Sequence, residues 1–179
     1  MESEGRQRSR DPEANLRNNW NQIRDTFTRG KRSTGHFAIA SVSSDGAPHI
    51  TPIGTMVLRD DLTGFYFDQY TKVLARNLDA DPRVCVMAVD SGSTFWIRSL
   101  IAGRFVAAPG VRLYGTVSAK RAATSSELDQ VRRTVRMTQW LKGGRLLWSN
   151  FTHVRDIAFT NFQPVHYPAM MSHLWGDAL

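Results

Sequence analysis

Thr71, Lys72 and Arg76 are the residues whose types and spacing point most directly to chemistry: a small hydroxyl at a helix start, a lysine beside it and an arginine one turn on. A helix opening at Thr71-Lys72 leaves its first backbone N–H groups without intrahelical acceptors, and the macrodipole gives that end partial positive charge. Such an end is a site for a phosphate, which can accept from several N–H groups and from side-chain cations together. Lys72 and Arg76 share a helix face, where like charges four residues apart cost about 0.2–0.5 kcal/mol unless an anion lies between them. The plain alternative is a solvated basic face with Thr71 as an ordinary N-cap, and spacing alone leaves both open.

The elements around these residues are legible. Phe37 to Val42 is an apolar, partly β-branched run ending at Ser43-Ser44-Asp45-Gly46, where Asp-Gly supplies the positive φ angles of a tight hairpin turn. The return run, His49 to Leu58, is broken by Pro52 and Gly54, which remove a ladder donor and a side chain, so something other than a neighbouring strand meets that backbone. A second turn, Arg59 to Gly64, leads to the aromatic strand Phe65-Tyr66-Phe67, ending at Asp68. A meander of three antiparallel strands is expected. The helix follows, with Val73, Leu74 and Leu78 on one face and Asp81-Pro82 closing it.

The ordered set Ile39-Ala40-Ser41-Val42, Asp45-Gly46-Ala47-Pro48-His49-Ile50-Thr51-Pro52, Phe65-Tyr66-Phe67, Thr71-Lys72 and Ala75-Arg76-Asn77-Leu78 through Asp81-Pro82-Arg83-Val84 resembles the pyridoxamine 5'-phosphate oxidase-like flavoproteins. That resemblance implies a mainly β fold with flanking helices, the antiparallel FMN-binding split barrel. It also implies that Thr71, Lys72 and Arg76 hold the phosphate of FMN. The segment Thr51, Pro52, Ile53, Gly54 and Thr55 would supply backbone contacts to the flavin ring. No catalytic side chain is implied, because a flavin performs the redox chemistry and the protein supplies position and electrostatics.

Composition narrows the alternatives. A chain of 179 residues with 41% hydrophobic content suits one domain with a proper core. No apolar run approaches the length of a membrane span and the first thirty residues are polar, so the reading is of a cytoplasmic protein without a secretory signal. The net charge of +7 invites nucleic acid, but its arginines and lysines form no aromatic-interleaved stripe, and nucleic acid is not expected as a partner. The single cysteine, Cys85, lies in the apolar run Val84–Val89 and reads as a small buried hydrophobe. Five scattered histidines with no HxxxH pair give no metal site. His49, near the Thr-Pro bend, is the histidine best placed to exchange a proton. No GxSxG elbow, Walker loop or strand-borne GxGxxG is present.

Residues 1–14 read as a charged tail, residues 15–164 as one flavin-binding domain beginning with a helix, and residues 165–179 as an arm or lid. Leu16, Trp20, Ile23 and Phe27 form that helix's apolar stripe. Val84–Val89 is a strand. The apolar Thr94–Ile97 and the irregular 98–110 connection are read as a hairpin extension or a flap, with Trp96 in the core and Arg98 in solvent as the plain reading. Val111–Val117 alternates as a strand, Thr124 and Glu127 form a capping box, and Leu128, Val131 and Val135 are the next helix's stripe. Gly143-Gly144, bracketed by Trp140 and Trp148, should end that helix. Asp156–Phe162 is a last strand, after which Met170, Met171 and Trp175 make the tail too apolar to float free.

The resemblance leads to an FMN-dependent oxidoreductase acting as a homodimer, with the cofactor between subunits and hydride passing between flavin and a small substrate or NAD(P)H. The alternatives are a deazaflavin-dependent reductase of the same fold, whose longer acidic tail would suit Arg29, Lys31 and Arg32, and a non-catalytic flavin or haem carrier or regulator.

Overall fold

The computed structural model describes residues 11–135 and 151–175. The first helix, α1 (Pro12–Thr34), starts where Asp11 accepts from the Glu13 N–H and proline occupies the first turn. Residues 12–14, expected in the tail, are therefore helical. Gly35, at φ 80°, ends α1 and donates to the Lys31 carbonyl. The predicted stripe is the buried face: Leu16, Trp20, Ile23 and Phe27 enter the core, each contributing about 1.5–3 kcal/mol by its burial. Trp20 Nε1 donates to the Arg59 carbonyl at 2.8 Å, which satisfies its one polar atom.

The strands are β1 (Phe37–Val42), β2 (Pro48–Ile53), β3 (Val57–Leu58), β4 (Thr63–Phe67), β5 (Arg83–Val89), β6 (Gly110–Val117), β7 (Arg121–Ala122) and β8 (His153–Pro164). They form one antiparallel sheet in the order β2-β1-β5-β6-β8-β4-β3, with β7 on β8. The sheet curls into a half-barrel around α1, whose neighbours are β1, β5, β6 and β8. Phe37, Ile39, Val86, Val111, Leu113 and Ile157 line the inside.

The expected three-stranded meander does not form. β1 pairs with β2 and β3 with β4, but these hairpins lie at opposite ends of the sheet, because Gly54 to Met56 leave strand geometry and carry the chain across. In the first hairpin only Gly46 has positive φ; Asp45 instead accepts from the Ala47 N–H and the Ser43 hydroxyl. β6 meets β8 through a bulge at Tyr114/Gly115, where a Cβ on Gly115 would lie 2.2 Å from the Ala158 carbonyl oxygen.

Among the described residues three further helices flank the sheet: α2 (Lys72–Ala80), α3 (Ser93–Ala102) and α4 (Ser125–Val135). α3 replaces the strand or flap read into residues 94–110. Gly92 precedes it, Gly103 ends it at φ 62°, and the Ser99 hydroxyl donates to the Phe95 carbonyl. Trp96 packs edge-on to Phe105 at 5.4 Å and Arg98 is exposed. α4 has the predicted capping box: Thr124 N–H donates to Glu127 Oε2 at 2.9 Å, and Glu127 N–H to Thr124 Oγ1 at 3.3 Å. The expected helix end at Gly143-Gly144 and both Trp140 and Trp148 lie outside the described residues, as do residues 1–10 of the tail. Cys85 is half-buried rather than buried, because strand alternation turns Val84 and Val86 inward and the thiol outward.

Residues 165–175 pack on their own chain. Tyr167 meets Trp96 and Phe105, the Phe105 N–H donates to the Met170 carbonyl, and Met171 and Trp175 are buried. Among the described residues no helix is long and apolar enough to cross a membrane.

Candidate functional site

The start of α2 is held by charge. Asp68, at the end of β4, is 2% exposed and accepts from Arg155 Nε of β8 at 2.9 Å. Arg155, 4% exposed, also donates through Nη2 to Asp79 of α2 at 2.7 Å. Lys120 Nζ donates to the Asp68 carbonyl at 2.9 Å and lies 3.7 Å from its carboxylate. Asn77 of α2 donates to the Ser41 hydroxyl of β1, fixing the other side of the helix. Tyr66, fully buried on β4, has its phenol pKa pushed up by burial and then by the Asp68 charge, so it stays neutral.

Thr71 sits at the N-cap position but makes no capping bond; its hydroxyl donates to Asp68 Oδ1 at 2.9 Å. That corrects the reading of Thr71 as an ordinary N-cap: the side chain is turned to donate to the nearby carboxylate, and its oxygen accepts from no N–H of α2. The first intrahelical bond runs from the Ala75 N–H to the Thr71 carbonyl, so the preceding N–H groups of α2 point out of the helix start without intrahelical acceptors. Lys72 and Arg76 are exposed, and no described residue pairs with either. This donor set fits a phosphate: backbone N–H groups, the positive end of a helix and two cations uncommitted among the described residues. The Arg155 and Lys120 charges compensate Asp68, which would otherwise repel an anion.

Thr51, Pro52 and Ile53 lie on β2 opposite Ile39, Ala38 and Phe37. β2 is an edge strand, pairing with β1 alone among the described residues, and this is where Pro52 is tolerated. Gly54 and Thr55 follow in the crossing segment, where the buried Thr55 hydroxyl accepts from the Phe67 N–H at 3.3 Å. One hydrogen bond thus ties the 51–55 segment to the strand whose end carries Asp68 and Thr71. His49 lies on β2 opposite Ser41.

Arg29 parts from Lys31 and Arg32. It donates to the Ala108 carbonyl at 3.0 Å and its Nε lies 3.7 Å from Asp90, whereas Lys31 faces the other side of α1 and donates to the Met56 carbonyl at 3.3 Å. A second charged group, missed in the sequence, joins the β3–β4 turn, β7, α4 and β8. Arg59 donates to Glu127 and Asp156 at 2.8 and 2.9 Å, and Arg121 donates to both carboxylates through Nε, Nη1 and Nη2. Bonding from Arg121 holds Glu127 down to about 2 and lowers Asp156 as well. Neither Asp68–Arg155 nor this network carries a local sequence signal, because apart from Arg121–Glu127, six residues apart, the partners lie tens of residues apart.

The sequence matches the profile of the family described as Pyridoxamine 5'-phosphate oxidase over residues 23–158. A search of curated proteins finds no match. Among solved structures, HupZ from Group A Streptococcus is similar at 15% identity and TM-score 0.55, covering 84% of this chain and 96% of its own. An FMN-binding protein from Syntrophomonas wolfei subsp. wolfei is similar at 12% identity and TM-score 0.54, covering 86% and 97%. At these identities the likeness is one of fold.

Proposed function

This chain belongs to the pyridoxamine 5'-phosphate oxidase family and has its split-barrel fold, and from that membership we propose that it is an FMN-dependent oxidoreductase. The observation that carries the reading is the anion-ready start of α2 joined to the β2–β3 crossing through Thr55 and Phe67. Lys72, Arg76 and the first N–H groups of α2 hold the phosphate, Thr71 joining through its backbone because its hydroxyl is committed to Asp68. The backbone of Thr51, Pro52, Ile53, Gly54 and Thr55 lies along the ring. When bound, FMN supplies hydride transfer with a small substrate or NAD(P)H, while these residues orient it.

A homodimer with the cofactor at the subunit interface is part of the same proposal. Ile50, Tyr70 and Val73, neighbours in sequence of the proposed cofactor residues, are exposed apolar side chains, and a second subunit would cover them. A deazaflavin is the competing cofactor of this fold, and its acidic tail would have Lys31 and Arg32 but not Arg29.

The visible spectrum of the purified protein, followed by titration with FMN, riboflavin and a deazaflavin, tests the reading. Tight FMN binding that falls in Lys72→Ala and Arg76→Ala by about 1.5–3 kcal/mol each, with riboflavin little changed, is the expected result. Equal losses for both ligands would remove these cations from the phosphate site. A preference for the deazaflavin would replace FMN as the cofactor, and binding of neither would leave the fold without this chemistry.

A further inference from the structure

On the side of α1 away from Arg29, the helix, the β2–β3 crossing, β3 and Gln130 of α4 border a cavity of about 520 Å³ that opens to solvent, within the size range of small-molecule sites. None of the residues assigned to FMN lines it; Lys31 and Arg32, which a deazaflavin tail would use, do. One wall carries Arg24, Thr28, Lys31 and Arg32; the apolar wall includes Phe27, Phe37 and Met56, each at most 4% exposed. The four polar groups are not equivalent. Arg24 is paired with Asp60, and the Thr28 hydroxyl donates to the Arg24 carbonyl at 2.9 Å. Lys31 and Arg32 have no carboxylate partner among the described residues. Lys31 is half-buried, its ammonium 5.8 Å from the Phe37 ring centroid, and burial pushes its pKa down. A partly desolvated lysine beside a second uncompensated cation is unfavourable, and an anion in the cavity would offset that cost.

We propose that this cavity binds a small organic anion, a carboxylate or phosphate on a flat apolar body, with Lys31 and Arg32 taking the charge and Phe37 and Met56 the body. This assignment goes beyond the FMN site at α2, uses residues different from that site's, and competes with a deazaflavin tail for Lys31 and Arg32.

Calorimetric titration of the full chain with benzoate and phenyl phosphate, with phenol as the neutral control, tests it before and after loading with FMN. Both anions should bind, phenol at least about tenfold more weakly, and Lys31→Gln and Arg32→Gln should each weaken the anions about tenfold or more. Arg32 is exposed, so Arg32→Gln keeps its fold and preserves the test should Lys31→Gln disturb the Met56 contact. No saturable anion binding, or binding indifferent to Arg32→Gln, overturns the proposal. So does displacement of the anions by FMN or a deazaflavin, which would give these cations to the cofactor. Failure of FMN to bind while the anions bind through Lys31 and Arg32 would sink the cofactor reading and leave this one standing.

Discussion

Removing Arg155 tests how the start of α2 is held. Arg155→Met keeps much of the side-chain volume but leaves Asp68, 2% exposed, without the guanidinium 2.9 Å away. Breaking one side of a buried pair costs about 3–5 kcal/mol, because the remaining charge is desolvated and uncompensated. Lys120, 3.7 Å from the Asp68 carboxylate, and the Thr71 hydroxyl remain, which places the loss at the lower end, about 3 kcal/mol. With a urea slope of about 2 kcal/mol/M, the unfolding midpoint should fall by about 1.5 M. Asp79→Asn, which alters only the pairing to a carboxylate 66% exposed, should cost no more than about 1 kcal/mol. Adding Asp68→Asn to Arg155→Met should recover most of the loss, since the stranded charge is gone. Urea melts of the four proteins decide the matter: a loss under about 1 kcal/mol for Arg155→Met, equal to that of Asp79→Asn, would refute the claim that Asp68 needs its buried partner.

The ion network around Arg121 should make stability depend on acid. Glu127 is depressed from 4.5 to about 2, so its contribution is present above 4.5 and is lost as pH falls toward 2. The urea midpoint of the parent protein should decline across that window and that of Glu127→Gln should decline less; parallel curves would rule Glu127 out. Gly115→Ala should destabilise by about 1–3 kcal/mol or more, since its Cβ meets the Ala158 carbonyl oxygen at 2.2 Å; thermal melts check this, and an unchanged Tm would show that the bulge relaxes. Ile50→Asp, on an exposed position of β2, should leave the melting temperature within a few degrees and shift a dimer toward monomer in sedimentation; an unchanged assembly would place the subunit contact elsewhere.

What the sequence determined by itself was local. The stripe Leu16, Trp20, Ile23 and Phe27 identified α1 because helical periodicity is set within a few turns, and Thr124 with Glu127 marked the start of α4 because a capping box closes over four residues. The opening of α2 at Lys72 was legible for the same reason, and the ordered motifs around it identified the family. The strand break expected at Pro52 was not found, because on an edge strand its missing N–H costs no ladder bond and β2 runs on to Ile53. α3 was not legible as a helix: Phe95 and Trp96 face the core while Ile97, Leu100 and Ile101 face outward, so its apolar residues circle the axis and no clean period shows. Only the tertiary structure decided that the β1–β2 and β3–β4 hairpins stand at opposite ends of one sheet, because strand order depends on pairing between distant segments. It also decided that the Thr71 hydroxyl serves Asp68 rather than the helix start, and that Arg29 turns away from Lys31 and Arg32. Those outcomes rest on side chains brought together by the curl of the sheet, and a charged side chain pairs with the carboxylate or carbonyl nearest in space, whose position no local pattern encodes.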